Sequence, residues 1–506
     1  MRRRTFRQVL VIGTGLLLVG CGSGAEQAAL YRAEKLLYEA RKAETQARLA
    51  TSQPDSTALL QVREAFLKVK RSAPGPYKLE GDARGRARVA AIMRTVGTAE
   101  VSGGRLALEA KRADLALETA QRLQSGAATD TATARQAAFM AVAAYQSLRR
   151  YDDVVAQMKR ILATYPPLSP PPNGEDPVLA IPEAIVNLRR NLGEEQAAAR
   201  ELREALEYYQ GLLRRPQTPA LEAQVRARVL RTHLELNQVG RALEEANTLE
   251  RLVMATPSLR SMLAEVGYAK GKIKASTEKN PSEGIAILDR IATDFPNSPL
   301  APRALFEAAV QTESKGRLED ARARYEAILQ RFPNTAEVAP LSLYRLGVVQ
   351  EKLGDWGRAK ATFESIPVHY PRSTAAAEAP VAVIQHYARE GRRTAAELYF
   401  SKALATYREL IKQDSTGQVA PLARMKMYQI YAAGRDSNGI YEIADEMLRV
   451  DRGHPYTAQV LLEAARAAKA FGNSQRATAY LRRFIQEFPR SPVIGDVRRE
   501  LKEHGG

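Results

Sequence analysis

A helix–turn–helix pattern that returns about every 38 residues restricts this chain to a stack of helical hairpins. The clearest stretch is 300–371. One unit, 304–333, reads ALFEAAVQTESKGRLEDARARYEAILQRFP; the next, 342–371, reads SLYRLGVVQEKLGDWGRAKATFESIPVHYP. Each predicts a helix, a short turn near Gly316 or Gly354, a second helix, and an aromatic-proline ending. Pro371 follows Pro333 by 38 residues, as Ala359 follows Ala321 and Phe363 follows Tyr325. Elsewhere apolar residues recur at three- and four-residue spacing, and strand signals are nearly absent. Alanine, leucine, arginine and glutamate are plentiful, which favours helix. One such hairpin cannot bury its own apolar face; stacking on neighbours does that. The fold class expected is all-α.

The repeated residue types have packing reasons. Gly347 and Ala309 sit on the first helix where the second comes close. Ala321 and Ala359 are the reciprocal small contacts, while Tyr325 and Phe363 fill the gap toward the next unit. Pro333 and Pro371 stop the second helix, because proline lacks the N–H and clashes in a helix interior. These features resemble the tetratricopeptide repeat, whose usual period is about 34 residues. Leucine replaces the first aromatic of that pattern. Weaker copies end at Pro296, with Gly284 in the small slot, and at Pro489, with Ala477 in it. Ala403, Tyr407 and Leu410 fit a unit with a longer connection after Gly391, and Gly439 and Ile443 fit the next. The small slots thus fall at 284, 321, 359, 403, 439 and 477. The resemblance implies a tetratricopeptide-type helical-hairpin solenoid over 258–489.

Upstream the copies degenerate. Residues 138–166 have the right shape. A proline-rich surface loop is expected at 166–177, and another loop at 73–85. Residues 25–48 and 56–71 read as a first helical pair, 194–215 and 221–253 as further helices. The division expected is 1–20, a lipoprotein signal; 21–130, an N-terminal helical region; 131–257, degenerate repeats; 258–489, the clear repeats; and 490–506, a polar C-terminal tail.

The opening, MRRRTFRQVLVIGTGLLLVGCGSG, is an address. Arg2, Arg3, Arg4 and Arg7 precede an apolar run over 9–19, which is short of the roughly 20 residues a spanning helix needs and fits a secretory signal. Leu18-Val19-Gly20-Cys21 resembles the lipobox of bacterial lipoproteins. The resemblance implies cleavage before Cys21 and acylation there. One acyl chain anchors only marginally, so several chains give firm attachment. Gly22 stands where an inner-membrane retention aspartate would, which implies the outer membrane, facing the periplasm.

Chemistry is not legible. The chain has one cysteine and five histidines, too few for a zinc set. His233, His369, His386, His454 and His504 are isolated. No phosphate loop, HExxH helix or GxSxG elbow occurs. Adjacent carboxylates such as Asp152-Asp153 diverge on a helix and make no acid pair. Soluble lytic transglycosylases also carry helical superhelices, but their Glu-Ser motif sits in a separate catalytic domain. Here Glu313-Ser314 and Glu364-Ser365 fall inside repeats. We expect no enzyme activity, metal, cofactor or small-molecule substrate. Net charge is +18, with basic pairs scattered among acids and no basic block, which argues against nucleic acid.

What remains is a binding surface. In this repeat class the first helix of each hairpin lines the concave face. The expected exposed residues are Arg303, Phe306, Tyr344, Glu351, Arg424, Tyr428 and Tyr431, because exposed tyrosine with arginine is typical of hot spots. Lipobox and repeats together resemble the tetratricopeptide-repeat lipoproteins of the bacterial envelope. That group includes a component of the outer-membrane β-barrel assembly machine and the coordinator of the Tol–Pal system. The implied function is a lipid-anchored scaffold binding envelope proteins or peptides. An outer-membrane assembly component or chaperone, and an accessory lipoprotein of a peptidoglycan enzyme or secretion system, are the alternatives.

Overall fold

The computed structural model describes residues 24–50, 54–73, 83–125, 130–168, 174–277, 281–415, 417–489 and 491–503. Cys21, the apolar run, most of the 73–85 loop and the centre of the proline-rich loop lie outside them. The described residues form α-helices and one 3-10 turn, with no strand. They divide into two compact units, up to Asn237 and from Gln238.

The first unit holds α1 (Gly24–Ala50), α2 (Ser56–Ser72), α3 (Ala83–Glu109), α4 (Ala113–Ser125), α5 (Thr131–Ser147), α6 (Tyr151–Thr164), α7 (Pro177–Asn191), α8 (Glu195–Leu213) and α9 (Pro219–Glu235). The second opens with α10 (Val239–Ala255) and the 3-10 turn Pro257–Met262. Six hairpins and a half follow: α11 (Leu263–Ser276) with α12 (Pro281–Asp294), α13 (Leu300–Ser314) with α14 (Leu318–Arg331), and α15 (Val338–Lys352) with α16 (Trp356–His369). Then come α17 (Thr374–Arg389) with α18 (Arg393–Gln413), α19 (Val419–Ala433) with α20 (Ser437–Val450), α21 (Pro455–Ala470) with α22 (Ser474–Glu487), and α23 (Ile494–Glu503).

Each helix follows from its apolar spacing. In α22 the buried residues are Ala477, Tyr480, Leu481 and Phe484, one stripe at three- and four-residue steps. Its N-cap Asn473 accepts the N–H of Arg476 at 3.0 Å. Pro333, Pro371 and Pro489 each stand two residues beyond the last helical residue of α14, α16 and α22. Residues 490–506, expected as a tail, carry α23 instead. Ile494, Val497 and Leu501 lie on one face and pack into the core of the second unit. The run is short and highly charged, which hid that face.

Eight of the turns inside hairpins are built one way. A residue with positive φ closes the first helix, at Lys111, Arg149, Gly193, Gly316, Gly354, Gly391, Arg435 and Gly472. The next residue then donates its N–H to the carbonyl five positions back, as Asp355 does to Gln350 at 3.0 Å and Asp436 to Tyr431 at 2.9 Å. This double-bonded end satisfies carbonyls the helix would leave orphaned.

Small residues set the approach of the paired helices. A Cβ on Gly347 would lie 2.8 Å from the Phe363 ring, and one on Gly284 2.1 Å from the backbone nitrogen of Ala275. Ala321, Ala359 and Ala403 are fully buried. The expected longer connection after Gly391 does not occur. The additional residues are helical: α18 has 21 residues where α14, α16 and α22 have 14. Seven residues add about two turns, so the buried stripe of Ala396, Tyr399, Ala403, Tyr407 and Leu410 stays on one face.

α7 and α17 share a further device. Each contains an interior proline, Pro182 and Pro380. Proline disturbs the carbonyls of the preceding turn. In each case a buried tyrosine from the next helix donates to one of them: Tyr209 to Leu179 at 2.8 Å, Tyr407 to Ala377 at 3.0 Å. Pro380, Gly391 and Tyr407 each stand 198 positions after Pro182, Gly193 and Tyr209, so the two units repeat one elongated hairpin.

Two predictions follow from these contacts. Ala359→Leu should cost about 1–3 kcal/mol through overpacking. Arg358→Ala, whose exposed side chain pairs only within its own turn, should stay within about 0.5 kcal/mol. Urea unfolding of both variants checks this; equal shifts would remove the tight-contact role of Ala359. Two glycines three residues apart should also differ in sign. Gly354→Ala places a side chain at φ +82° and should destabilise by about 1 kcal/mol. Gly357→Ala lies inside α16, where a Cβ would meet only Asp355 Oδ1 at an ordinary 3.9 Å, and should be neutral or stabilising by up to about 1 kcal/mol.

Candidate functional site

In the second unit the first helices of successive hairpins, α11, α13, α15, α17, α19 and α21, touch one another directly. The second helices lie behind them. The exposed stripe of this inner layer is therefore the candidate binding face. On α15 it comprises Leu341, Tyr344, Arg345, Val348, Glu351 and Lys352. On α13 the residues 38 positions earlier make the matching stripe, from Arg303 and Phe306 to Val310 and Ser314. Apolar positions alternate with charged ones, which suits an extended partner with apolar side chains and a polar backbone.

The seven expected residues divide. Arg303 is exposed and ion-paired with Glu337. Phe306 and Tyr344 are half-buried, their rings 6.0 and 5.5 Å from those of Tyr325 and Phe363. Burial, and then the Glu378 carboxylate nearby, push the Tyr344 hydroxyl above its ordinary pKa. Tyr431 is half-buried; its hydroxyl accepts from Arg408 at 3.1 Å. Its ring also occupies the space a Cβ on Gly439 would need.

Arg424 and Tyr428 correct the sequence reading. They are only 4% and 3% exposed. Arg424 reaches Glu446 at 2.7 Å and Asp451 at 2.9 Å, so it clamps α19 to the end of α20. Burial raises the Tyr428 hydroxyl well above its usual value, with Glu463 adding to the shift. The physical reason lies in α19 itself. Residues 419–428 are buried without interruption, including Lys426, which pairs with Glu378 of α17 at 2.9 Å. Neighbouring elements cover this helix on nearly every side, and its two cations are buried with their counter-ions. The inner face is thus closed at α19 and open on α13, α15, α17 and α21.

Glu351 belongs to a ladder that spacing alone did not reveal. It accepts from His386 Nδ1 at 2.7 Å and from Arg389 at 2.5 Å, both on α17. One hairpin earlier, buried Glu313 accepts from Lys352 at 2.7 Å and from the Tyr325 hydroxyl at 3.0 Å. Lys352 is therefore a partner of a buried carboxylate and not a bland surface residue. His386, read as isolated, also stacks on the only tryptophan, Trp356, at 3.4 Å and 8°. The available signal was distance in sequence: residues about one repeat apart, such as Glu351 and His386, become neighbours on adjacent first helices.

A cavity of about 530 Å³ opens between α16, α17 and α18, over Phe363, Pro367, Val368 and Pro380. Its mouth carries Tyr399 and the Lys402–Glu364 pair at 2.8 Å. The first unit has a smaller counterpart of about 260 Å³ at α6, α7 and α8, over Pro182, with Lys159 bridging Glu201 and Glu204. Among the described residues no cluster of three metal-ligating side chains occurs, and no helix is long and apolar enough to cross a membrane.

Removing Arg424 should show its structural role. Arg424→Ala leaves Asp451 buried without its cation and should cost about 3 kcal/mol. Chemical unfolding measures this. A loss below about 0.5 kcal/mol would mean that the buried pair is dispensable.

The profile of the tetratricopeptide repeat family matches residues 341–373 and 459–491. No curated protein sequence matches the chain. Among solved structures, the apo form of RapI aligns with a TM-score of 0.40 at 12% identity, covering 81% of this chain and 99% of that one. Yeast Tom70 aligns with a TM-score of 0.40 at 11% identity, covering 94% and 96%. A tetratricopeptide repeat protein from Parabacteroides merdae gives 0.30 at 14%, covering 56% and 99%. Scores this low add nothing about function. The chain is an all-α protein of stacked helical hairpins that carries tetratricopeptide repeats at 341–373 and 459–491.

Proposed function

We propose that the chain is a lipid-anchored scaffold of the cell envelope, attached at the outer membrane and holding proteins or peptides on the inner face of its second unit. The observation that carries this reading is the sequence Leu18-Val19-Gly20-Cys21 set directly ahead of a hairpin array. Several acyl chains on one cysteine would hold the protein firmly at a membrane. The array offers a long face of alternating apolar and charged side chains, open on α13, α15, α17 and α21. The ionisable groups along it are largely engaged with one another, as Glu313 is with Lys352 and Glu351 with Arg389. This suits recognition, and the reading calls for no catalytic group, metal or cofactor.

The partner's contacts fall on the open stripe and not on the buried Arg424 and Tyr428. Two measurements test the proposal. A fatty-acid analogue should label the wild type and not Cys21→Ser; an unlabelled, freely soluble wild type would end the anchoring half. Capture of a cross-linked partner from envelope extract, followed by titration, tests the other half. Leu341→Glu and Val348→Glu should each weaken binding roughly tenfold, about 1.4 kcal/mol. Arg322→Ala, on the second helix and paired only with Glu319 and Glu326 of its own helix, is the control. Equal losses in groove and control variants would mean that the inner face does not bind.

A further inference from the structure

α1 buries one face and leaves the opposite one unusually apolar. Ala33, Leu37 and Ala40 enter the core of the first unit together with Phe66. On the other side Tyr31 is 67% exposed, Tyr38 69% and Leu49 81%. At 3.6 residues per turn these three fall on one stripe, and Lys35 and Lys42 stand between them on the same stripe. Neither lysine forms an ion pair among the described residues. The carboxylate nearest that end of α1 is turned elsewhere: Glu44 accepts from Arg105 at 2.7 Å and from Arg48 at 3.0 Å. Glu34 and Glu39 lie to the two sides of the stripe. The face therefore presents aromatic, aliphatic and cationic groups with no anion in its centre.

From this juxtaposition we infer that the Tyr31–Lys35–Tyr38–Lys42–Leu49 face of α1 lies on a lipid surface, its tyrosines at headgroup depth and its lysines on lipid phosphates. The inference rests on the proposed acylation of Cys21. Only residues 22 and 23 separate that cysteine from the first turn of α1, a reach of at most about 10 Å. α1 extends about 40 Å from that point. A helix tethered so closely brings any lipid-compatible face into repeated contact with headgroups. Tyrosine suits that depth, since its ring is apolar and its hydroxyl stays wet. Lysine complements anionic phosphate, and Leu49 adds apolar area where the helix ends.

The test uses the full, lipidated chain. Acylation consumes the only native thiol, so Tyr38→Cys or Ser314→Cys supplies a single site for a nitroxide label. The labelled protein is reconstituted in phosphatidylethanolamine–phosphatidylglycerol vesicles, and access of a water-soluble nickel relaxant is compared at the two sites. The expected result is access at position 38 several-fold below that at 314, restored toward it by Lys35→Glu with Lys42→Glu. If the chain stays on the vesicles but position 38 is as accessible as 314, the inference is wrong and the anchor stands. Shielding at 38 without vesicles would mean that a protein surface covers the face, which also overturns it. A chain with a free Cys21 thiol by mass, and no vesicle association, would remove the anchor reading and this inference together.

Discussion

Everything in this protein depends on how closely two helices of one hairpin can approach. Where Gly284 meets the backbone of α11, or Gly347 meets the ring of Phe363, there is no room for a side chain. That approach fixes the hairpin as a wedge with one wide apolar face. The wedge cannot cover that face itself, so the next hairpin must. The positive-φ turn performs the matching task at the end. It ends the first helix, satisfies its last carbonyls and starts the second within a few residues. Close contact and tight turn together leave stacking as the only way to bury Tyr325, Phe363 and Tyr407, all of which are fully buried.

Much of this was legible because the contacts are short in sequence and demand particular residue types. Gly347, Ala359 and the helix-ending prolines could be read from a two-unit alignment. Where the requirement is looser the sequence is silent. Lys111, Arg149 and Arg435 hold the same left-handed turn position as Gly354, and nothing in those residue types announces it. The elongated hairpin of α17 and α18 was also misjudged. Seven added residues looked like a longer connection, yet two helical turns preserve the buried stripe and cost no loop entropy.

The inner layer was legible in the repeat, and the burial of its residues was not. Repeat position identifies the inner layer correctly, since α13, α15, α17, α19 and α21 all line it. It does not say how far neighbouring side chains cover each helix. Arg424 and Tyr428 were expected to be open as arginine beside tyrosine, yet counted from the turn they hold the places of Leu305 and Ala309, which face the core. The composition of α19, VAPLARMKMYQIYAA, held the missing information. Alanine, proline and tyrosine fill most of the side that valine, leucine, methionine and isoleucine leave, which marks a core element even where the repeat would leave one face free.

Apolar stacking alone would not distinguish one hairpin interface from the next, because the small residues and aromatics recur at each. The polar groups do. Glu313 meets Lys352, and the same slot one hairpin later holds Glu351 with Arg389 and His386. At the next step the pattern breaks: Arg424 turns toward Glu446 and Asp451 of its own hairpin, and Lys426 reaches back to Glu378. A buried charge without its counter-ion costs several kcal/mol. The first two pairs are alike, a glutamate against a cation, so it is the Lys426–Glu378 pair that a hairpin displaced by one place would lose. The same groups that fix the stacking order also set where the inner face is open, since the Lys426–Glu378 pair closes it at α19 and the Glu351–Arg389 pair edges it at α15 and α17. Order of stacking and openness of the inner face are in this way tied to one set of side chains.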